Sequence, residues 1–181
     1  MKKNVSKNDF DITCHKKAVS NKDGIAFFYD DNEEFTQSVV VNMDLSETAI
    51  DRKVEEKTLH RVETETITLD TFIKENDITK IDLIKIDVET HEPEVFEGFK
   101  DNLEKFKPTL IVEIIRDHVA LSLQETLSVL GYNFFYINEP FAGEDIEVEG
   151  FAYQKVDSLI GCQHGNYLIC TNAIKEKLNL S

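Results

Sequence analysis

An almost continuous apolar run between Ile81 and Val88 is the strongest pattern of hydrophobic positions in the chain. Polar residues interrupt it only at Asp82, Lys85 and Asp87. Such a run is typical of a strand that is buried on both faces of a parallel sheet, rather than of a strand with one face in water. It therefore predicts a central strand with helices packed on both sides.

The residues after this strand predict one helix that begins at Pro93 and ends before Pro108. Proline suits the first helical position, and Glu94 and Glu97 place negative charge in the opening turns, where the helix dipole favours it. Apolar residues recur at helical spacing along the segment and form its predicted buried stripe, namely Val95, Phe99, Leu103 and Phe106.

The rest of the chain alternates between predicted strands and helices, which is typical of an α/β fold. Strands are predicted at 12–20, 24–29, 37–42, 109–115, 133–137 and 166–171. The first two flank residues 21–24, whose composition indicates a hairpin or a tight turn.

Two helices carry capping signals. Thr68 is the predicted N-cap of a short helix that runs through Asn76, and Ser122 with Glu125 has the spacing of a capping box. The helix that this box would begin ends at Gly131, a common stop signal. Segments 44–57 and 140–150 are acidic and without apolar periodicity, so they predict loops, or a short surface helix in the first case.

Acidic residues and a histidine follow the central strand directly. If the extended geometry continues, Asp87, Glu89 and His91 share one face, because side chains alternate along a strand. Glu113, near the end of the next predicted strand, would line the same crevice, since ligands of open α/β sheets bind outside the carboxyl ends of the strands. These four residues are the candidate catalytic residues.

The run DLIKIDVETHEPEVFEG at 82–98, followed by PTLIVEI at 108–114, resembles the FkbM-type methyltransferases. The segment VETETITLDTFIKE at 62–75 is similar to the family's lead-in to this strand. The resemblance implies a Rossmann-like methyltransferase sheet, mostly parallel with an antiparallel last strand, and S-adenosylmethionine as cofactor. The family usually has glycine where this chain has Thr90, and glycine permits turn angles that threonine resists.

The resemblance also implies roles for individual residues. A hydroxyl that accepts a methyl group must lose its proton, and His91 is the predicted general base, because the ordinary histidine pKa of about 6.5 lies near neutral pH. Asp87 is expected to orient the cofactor or the acceptor, and Glu89 to hold the histidine. Ala18 and Val19 are expected to contact the cofactor.

Each of these roles has an alternative. His91 can instead cap the following helix, and Glu92 is expected to be a solvated residue of the first turn. A divalent cation held by Asp87, Glu89 and Glu113 is an alternative to cofactor orientation, because magnesium and calcium prefer oxygen ligands. That cluster also leaves a metal-dependent hydrolase open, although no spaced metal-ligand motif is present, so no metal is predicted.

A glycine-rich cofactor loop is missing from the sequence, since no two of its seven glycines stand in a G-x-G arrangement. The resemblance then implies a single partial methyltransferase domain, 1–181, that lacks the first two strands of the family domain. We expect either a truncated, inactive fragment, or a short protein that obtains these strands from a partner chain or a second copy. A non-catalytic binding or assembly module is the alternative function.

Charge and composition restrict the partners and the compartment. Twenty basic against 35 acidic residues give a net charge of −15, which argues against nucleic acid and against an anionic membrane as partners. No apolar stretch reaches the roughly 18 residues of a membrane span, and the N-terminal residues lack the apolar segment of a secretory signal. A cytoplasmic protein with reduced cysteines, acting on a small-molecule or glycan hydroxyl, is therefore expected.

Overall fold

The computed structural model describes residues 5, 7–8, 10–30, 38–39, 60–138 and 153–181, with the backbone alone at 28–30, 38–39 and 60–61. The strands are β1 Ala18–Val19, β2 Gly24–Asp30, β3 Ser38–Val39, β4 His60–Ile67, β5 Leu83–Ile86, β6 Thr109–Ile114, β7 Asn133–Ile137, β8 Tyr153–Val156 and β9 Gly165–Cys170. The helices with defined bounds are α1 Leu69–Glu75, α2 Glu92–Glu97, α3 Lys100–Phe106, α4 Asp117–Val129 and α5 Asn172–Lys177. The predicted segments 44–57 and 140–150 lie outside the described residues.

The larger sheet is mixed and has the strand order β5-β6-β9-β7-β8. Strands β5 and β6 pair in parallel, and the other three neighbouring pairs are antiparallel. The α/β class and the antiparallel closing strand, β9, are therefore confirmed. The prediction of a mostly parallel sheet is wrong, because β9 enters between β6 and β7 and β8 adds an antiparallel edge that was not predicted.

Strand β5 lies at one edge of this sheet and not at its centre. It pairs with β6 on one side, and no other described strand occupies its second side. Leu83 is consequently 55% exposed, although Ile86 at the other end of the strand is buried. The prediction of burial on both faces is thus wrong for the first half of β5, since no helix or strand among the described residues covers Leu83.

The smaller sheet has the order β1-β4-β2-β3. Strand β4 lies between β1 and β2, parallel to the first and antiparallel to the second. The segment 21–23 therefore joins two strands that are not neighbours. Of the two predicted alternatives, the hairpin is wrong, and the chain does bend at these residues. Strand β1 is also much shorter than the predicted strand at 12–20.

The helices follow their local signals only in part. Thr68 caps α1 as predicted, with its hydroxyl accepting from the Thr71 amide at 3.0 Å. Helix α4 begins at Asp117, so Ser122 and Glu125 lie inside it and the predicted capping box is wrong. The first turn of α4 already packs against the core, because Val119 and Ala120 are buried. This packing favours a helix that begins before Ser122 and outweighs the local capping signal.

The predicted helix between Pro93 and Pro108 is two helices, α2 and α3, with a break at Gly98 and Phe99. The backbone of Ser20 approaches the break so closely that a Cβ at Gly98 would collide with the Ser20 carbonyl oxygen. The predicted buried stripe nevertheless packs into the core across both helices, with Phe99 and Leu103 fully buried. The break therefore keeps the stripe and makes room for the chain that follows β1.

The main core lies between the larger sheet and helices α2, α3 and α4. It contains buried residues from both layers, including Ile86, Leu110, Val112, Ile169, Val95, Phe99, Leu103, Leu123 and Leu127. Within the described part of the chain, no helix is both long enough and apolar enough to cross a membrane. The carboxyl ends of β5 and β6 emerge from this core side by side.

Candidate functional site

Three of the candidate residues meet where β5 and β6 end. The two strands are parallel and Ile86 pairs with Val112, so Asp87 and Glu113 follow at the same edge of the sheet. One carboxylate oxygen from each of Asp87, Glu89 and Glu113 lies within 4.8 Å of the others. The structure thus brings these three predicted residues together, and we call them the acidic cluster.

The negative charge of the acidic cluster is balanced only in part by the neighbouring Lys85. The Lys85 ammonium lies 2.6 Å from Asp87 Oδ2, in a pair that is open to solvent. Partial burial raises the pKa of Glu113, the charges of Asp87, Glu89 and Glu92 raise it further, and Lys85 opposes them. Since one ammonium faces several carboxylates, this edge of the sheet favours a cationic group.

The acidic cluster has the composition of a site for a hard cation. Its three carboxylates are the oxygen ligands that magnesium and calcium prefer, and water supplies the remaining ligands in most such sites. It is the one group of this kind found among the described residues. The same oxygens also suit the ammonium and sulfonium groups of an organic cation, so the ligand set alone does not distinguish these two occupants.

A tight left-handed turn separates the acidic cluster from His91. Glu89 has φ of +53° and Thr90 has φ of +76°. The extended geometry therefore ends before His91, and the prediction that Asp87, Glu89 and His91 share one face is wrong. Thr90 adopts this left-handed angle in spite of its β-branched side chain, for which such an angle is unusual.

His91 contacts a different set of residues from those predicted. It occupies the N-cap position of α2, but its side chain makes no capping hydrogen bond. Its Nε2 lies 3.0 Å from the Ser20 hydroxyl, and its Nδ1 lies 3.4 Å from Glu94 Oε2. Burial lowers the pKa of His91, and the Glu94 charge opposes that effect. The carboxylate that faces the ring is therefore Glu94 and not the predicted Glu89.

Glu92 is buried beneath the turn, with 1% of its surface exposed. The prediction of a solvated residue is wrong, because α2 packs against the core from its first turn. Its Oε1 accepts a hydrogen bond from the Val88 amide at 3.2 Å. Burial raises the pKa of Glu92, and backbone amides of the turn oppose that effect. Glu92 thus holds the backbone between Asp87 and Glu89.

Asp70 is a second structural carboxylate, and its role was not predicted from the sequence. Its oxygens accept hydrogen bonds from the backbone amides of Asp101 at 3.0 Å and Asn102 at 3.1 Å, and from the Asn102 side chain at 2.8 Å. These amides lie in the first turn of α3, which lacks a capping side chain of its own. Asp70 therefore caps α3 from α1.

The predicted cofactor residues Ala18 and Val19 form β1 and are half-buried. They pair with Thr66 and Ile67 of β4. Their contact with a cofactor stays a prediction. Ser20, which follows them directly, was not among the candidates. The only sequence signal for a functional role of Ser20 was its position next to the predicted cofactor strand. Its contact with His91 gives no local signal, because the two residues are 71 positions apart.

The family model described as "Methyltransferase FkbM domain" matches residues 3–134. This range contains β1, the acidic cluster, the turn after β5 and His91. No curated protein and no solved structure matches the chain significantly.

Proposed function

Because the chain belongs to the FkbM methyltransferase family, we propose that it transfers a methyl group from S-adenosylmethionine to a hydroxyl of a sugar or small metabolite. The observation that carries the proposal is the convergence of Asp87, Glu89 and Glu113 at the carboxyl ends of the parallel pair β5 and β6. Ligands of open α/β sheets bind at this edge. We place the reaction in the cytoplasm, in line with the composition of the chain.

The groups at this edge fit the positively charged end of the cofactor. S-adenosylmethionine supplies a methyl group on a sulfonium, which becomes a neutral thioether after transfer, and its methionyl part carries an ammonium. Partial burial raises the pKa of Glu113, and the neighbouring charges of Asp87 and Glu89 raise it further, so negative charge is crowded there. A bound cation would relieve that repulsion, because opposite charges at close range favour the ionised carboxylate.

Asp87 is the residue that we expect to orient this cation or the acceptor hydroxyl. Lys85 holds one of its oxygens at 2.6 Å, and Asp87 follows directly after a strand that Ile86 anchors in the core. Positioning of this kind supplies much of the acceleration in a displacement reaction, since donor and acceptor must be aligned. Glu89 and Glu113 complete the negative edge from the turn and from β6.

We also propose that the larger sheet is the later part of a Rossmann-like methyltransferase sheet. The side of β5 away from β6 has no neighbour among the described strands, and Leu83 is exposed beside it. Unpaired strand edges readily accept a further strand. Parallel strands from a partner chain, a second copy or a longer polypeptide would complete the sheet at this edge.

Calorimetric titration of the chain with S-adenosylmethionine tests the proposed function. We expect binding that is weakened at least tenfold by Asp87→Asn. Asp82→Asn is the matched control, because Asp82 forms the same kind of exposed pair, with Lys80 at 2.6 Å, at the opposite end of β5. The control should bind as the unmodified chain does.

Two results would contradict the proposal. Absence of binding by a folded chain would show that it is not a methyltransferase by itself, and would favour the alternative of a non-catalytic binding or assembly module. Equal losses in the two variants would show that binding follows the overall charge and not the acidic cluster. Methylation of hydroxyl compounds, followed with a labelled methyl group, then identifies the acceptor class.

A further inference from the structure

Both ring nitrogens of His91 face a polar side chain. Nε2 lies 3.0 Å from Ser20 Oγ, and Nδ1 lies 3.4 Å from Glu94 Oε2. These contacts join the end of β1 to the first turn of α2. The order hydroxyl, imidazole and carboxylate is the one that activates hydroxyl groups in many unrelated enzymes.

The direction of the hydrogen bond between Ser20 and His91 follows from the charge on Glu94. A proton on Nδ1 is attracted by this carboxylate even without a hydrogen bond, so we assign the proton of the neutral ring to Nδ1, which leaves the lone pair of Nε2 facing Ser20. The hydroxyl also lies 3.4 Å from Asn21 Oδ1, which is the longer of its two contacts. Ser20 is thus placed to donate its proton to His91.

Ser20 is held in place on three sides. Its amide donates to the Ile67 carbonyl at 3.1 Å, its own carbonyl packs against Gly98, and its side chain meets His91. Only 9% of its surface is exposed. The next residue, Asn21, donates to Glu97 at 2.9 Å and fixes the segment to α2. Such fixed geometry is what a reacting group requires.

We propose that Ser20 is a further catalytic residue, the group that takes the proton from the acceptor hydroxyl and passes its own proton to His91 Nε2. This inference rests on the proposed function for the identity of the acceptor. As the acceptor oxygen forms its bond to the methyl group, its proton moves to Ser20 Oγ and the Ser20 proton moves to Nε2. His91 then carries a proton on each nitrogen, Glu94 balances the positive charge, and solvent later removes one proton.

This arrangement explains how His91 can serve as a base although only 14% of its side chain is exposed. Nε2 faces the Ser20 hydroxyl and Nδ1 is buried on the side of Glu94, so a proton from the acceptor reaches the ring through Ser20. Ser20 follows Ala18 and Val19, the predicted cofactor strand, so the proton is taken up beside the place where the methyl group is expected. Glu94 acts through His91 and is a positioning residue.

We call the passage of a proton through Ser20 to His91 the relay. Alkylation of a thiol at position 20 tests the relay and requires no methyl transfer. In Ser20→Cys, proton transfer to His91 should produce a thiolate well below the ordinary thiol pKa of about 8.5. At about pH 6, iodoacetamide should therefore modify this thiol at least tenfold faster than Cys14, which serves as reference in the same chain. Peptide mass mapping separates the two sites.

Variants of the two carboxylates on α2 give the matched comparison. Glu94→Gln removes the charge that stabilises protonated His91, so it should slow the alkylation severalfold. Glu97→Gln removes a charge from the same helix that faces Asn21 and not the ring. Its amide oxygen can still accept from Asn21, so the segment stays fixed and the rate should be unchanged. Equal rates in both variants, or a thiol that reacts no faster than Cys14, would overturn the relay.

The tautomer of His91 in the unmodified chain provides a second test that does not depend on a variant. Nitrogen NMR should find the proton of the neutral ring on Nδ1. A proton on Nε2 would contradict the proposal, because the ring would then donate to Ser20 and could not accept from it. Failure of the relay in either test is distinct from failure of the proposed function, which the S-adenosylmethionine titration reports separately.

Discussion

Replacing Thr90 by glycine should stabilise the protein, although glycine usually destabilises. Thr90 has φ of +76°, where the β-branched side chain crowds the backbone. The left-handed region costs a residue with a side chain about 1–2 kcal/mol. Glycine removes that cost and loses about 0.5–1 kcal/mol through the greater freedom of the unfolded chain. The balance is a gain of up to about 1.5 kcal/mol, with each kcal/mol raising Tm by about 2–4 °C for a chain of this size.

Thermal and urea unfolding followed by circular dichroism measure this gain. Thr79→Gly is the matched control, because Thr79 is exposed, lies outside helices and strands, and is not among the residues with positive φ. At Thr79 glycine relieves no strain and only increases the freedom of the unfolded chain, so the control should lose stability. If both variants lose stability equally, the turn at Thr90 holds no strain and the reasoning is refuted.

Three further substitutions test the parts that hold the turn and the helices. Gly98→Ala should destabilise by about 1–3 kcal/mol in denaturant unfolding, because its Cβ would collide with the Ser20 carbonyl. Gly131→Ala adds a Cβ that meets no neighbour but stands at φ of +76°, so its loss measures the left-handed backbone angle alone. Asp70→Ala should cost about 1 kcal/mol in the same assay, through loss of the cap of α3. Burial raises the pKa of Glu92, so the stability that this group contributes is present below its ordinary pKa of 4.5 and is lost as the pH rises through the folded-state pKa. Glu92→Gln cannot ionise and should therefore be more stable than the unmodified chain at about pH 7 but not at about pH 4, as urea titrations at the two values would show.

Elements with strong local signals could be predicted from the sequence. The N-cap of α1 at Thr68 and the strand β6 were confirmed because their determinants lie within a few residues of one another. The hairpin at residues 21–24 failed because β4, which is distant in the chain, pairs with both flanking strands. Local turn chemistry specifies a bend but does not specify which strand becomes its neighbour.

The candidate site shows the same division between local and distant contacts. Asp87 and Glu113 could be placed together because parallel neighbouring strands end at the same edge, and that rule requires only the order of the strands. The Ser20 contact to His91 could not be predicted, since it depends on how the smaller sheet packs against α2. Glu92 looked like a solvated first-turn residue, and only its burial under the turn reveals that it binds the Val88 amide.

The turn after β5 connects the two groups of side chains that the proposed reaction requires. Glu89 belongs to the acidic cluster and His91 belongs to the relay, and Thr90 alone separates them. The left-handed angles at Glu89 and Thr90 send the Glu89 side chain toward Glu113 and the His91 side chain toward Ser20. An extended backbone would place both on one face of the strand and would separate His91 from Ser20. Backbone strain at functional sites persists where the surroundings hold it, and here Glu92 beneath the turn and the Ser20 contact beyond it do so.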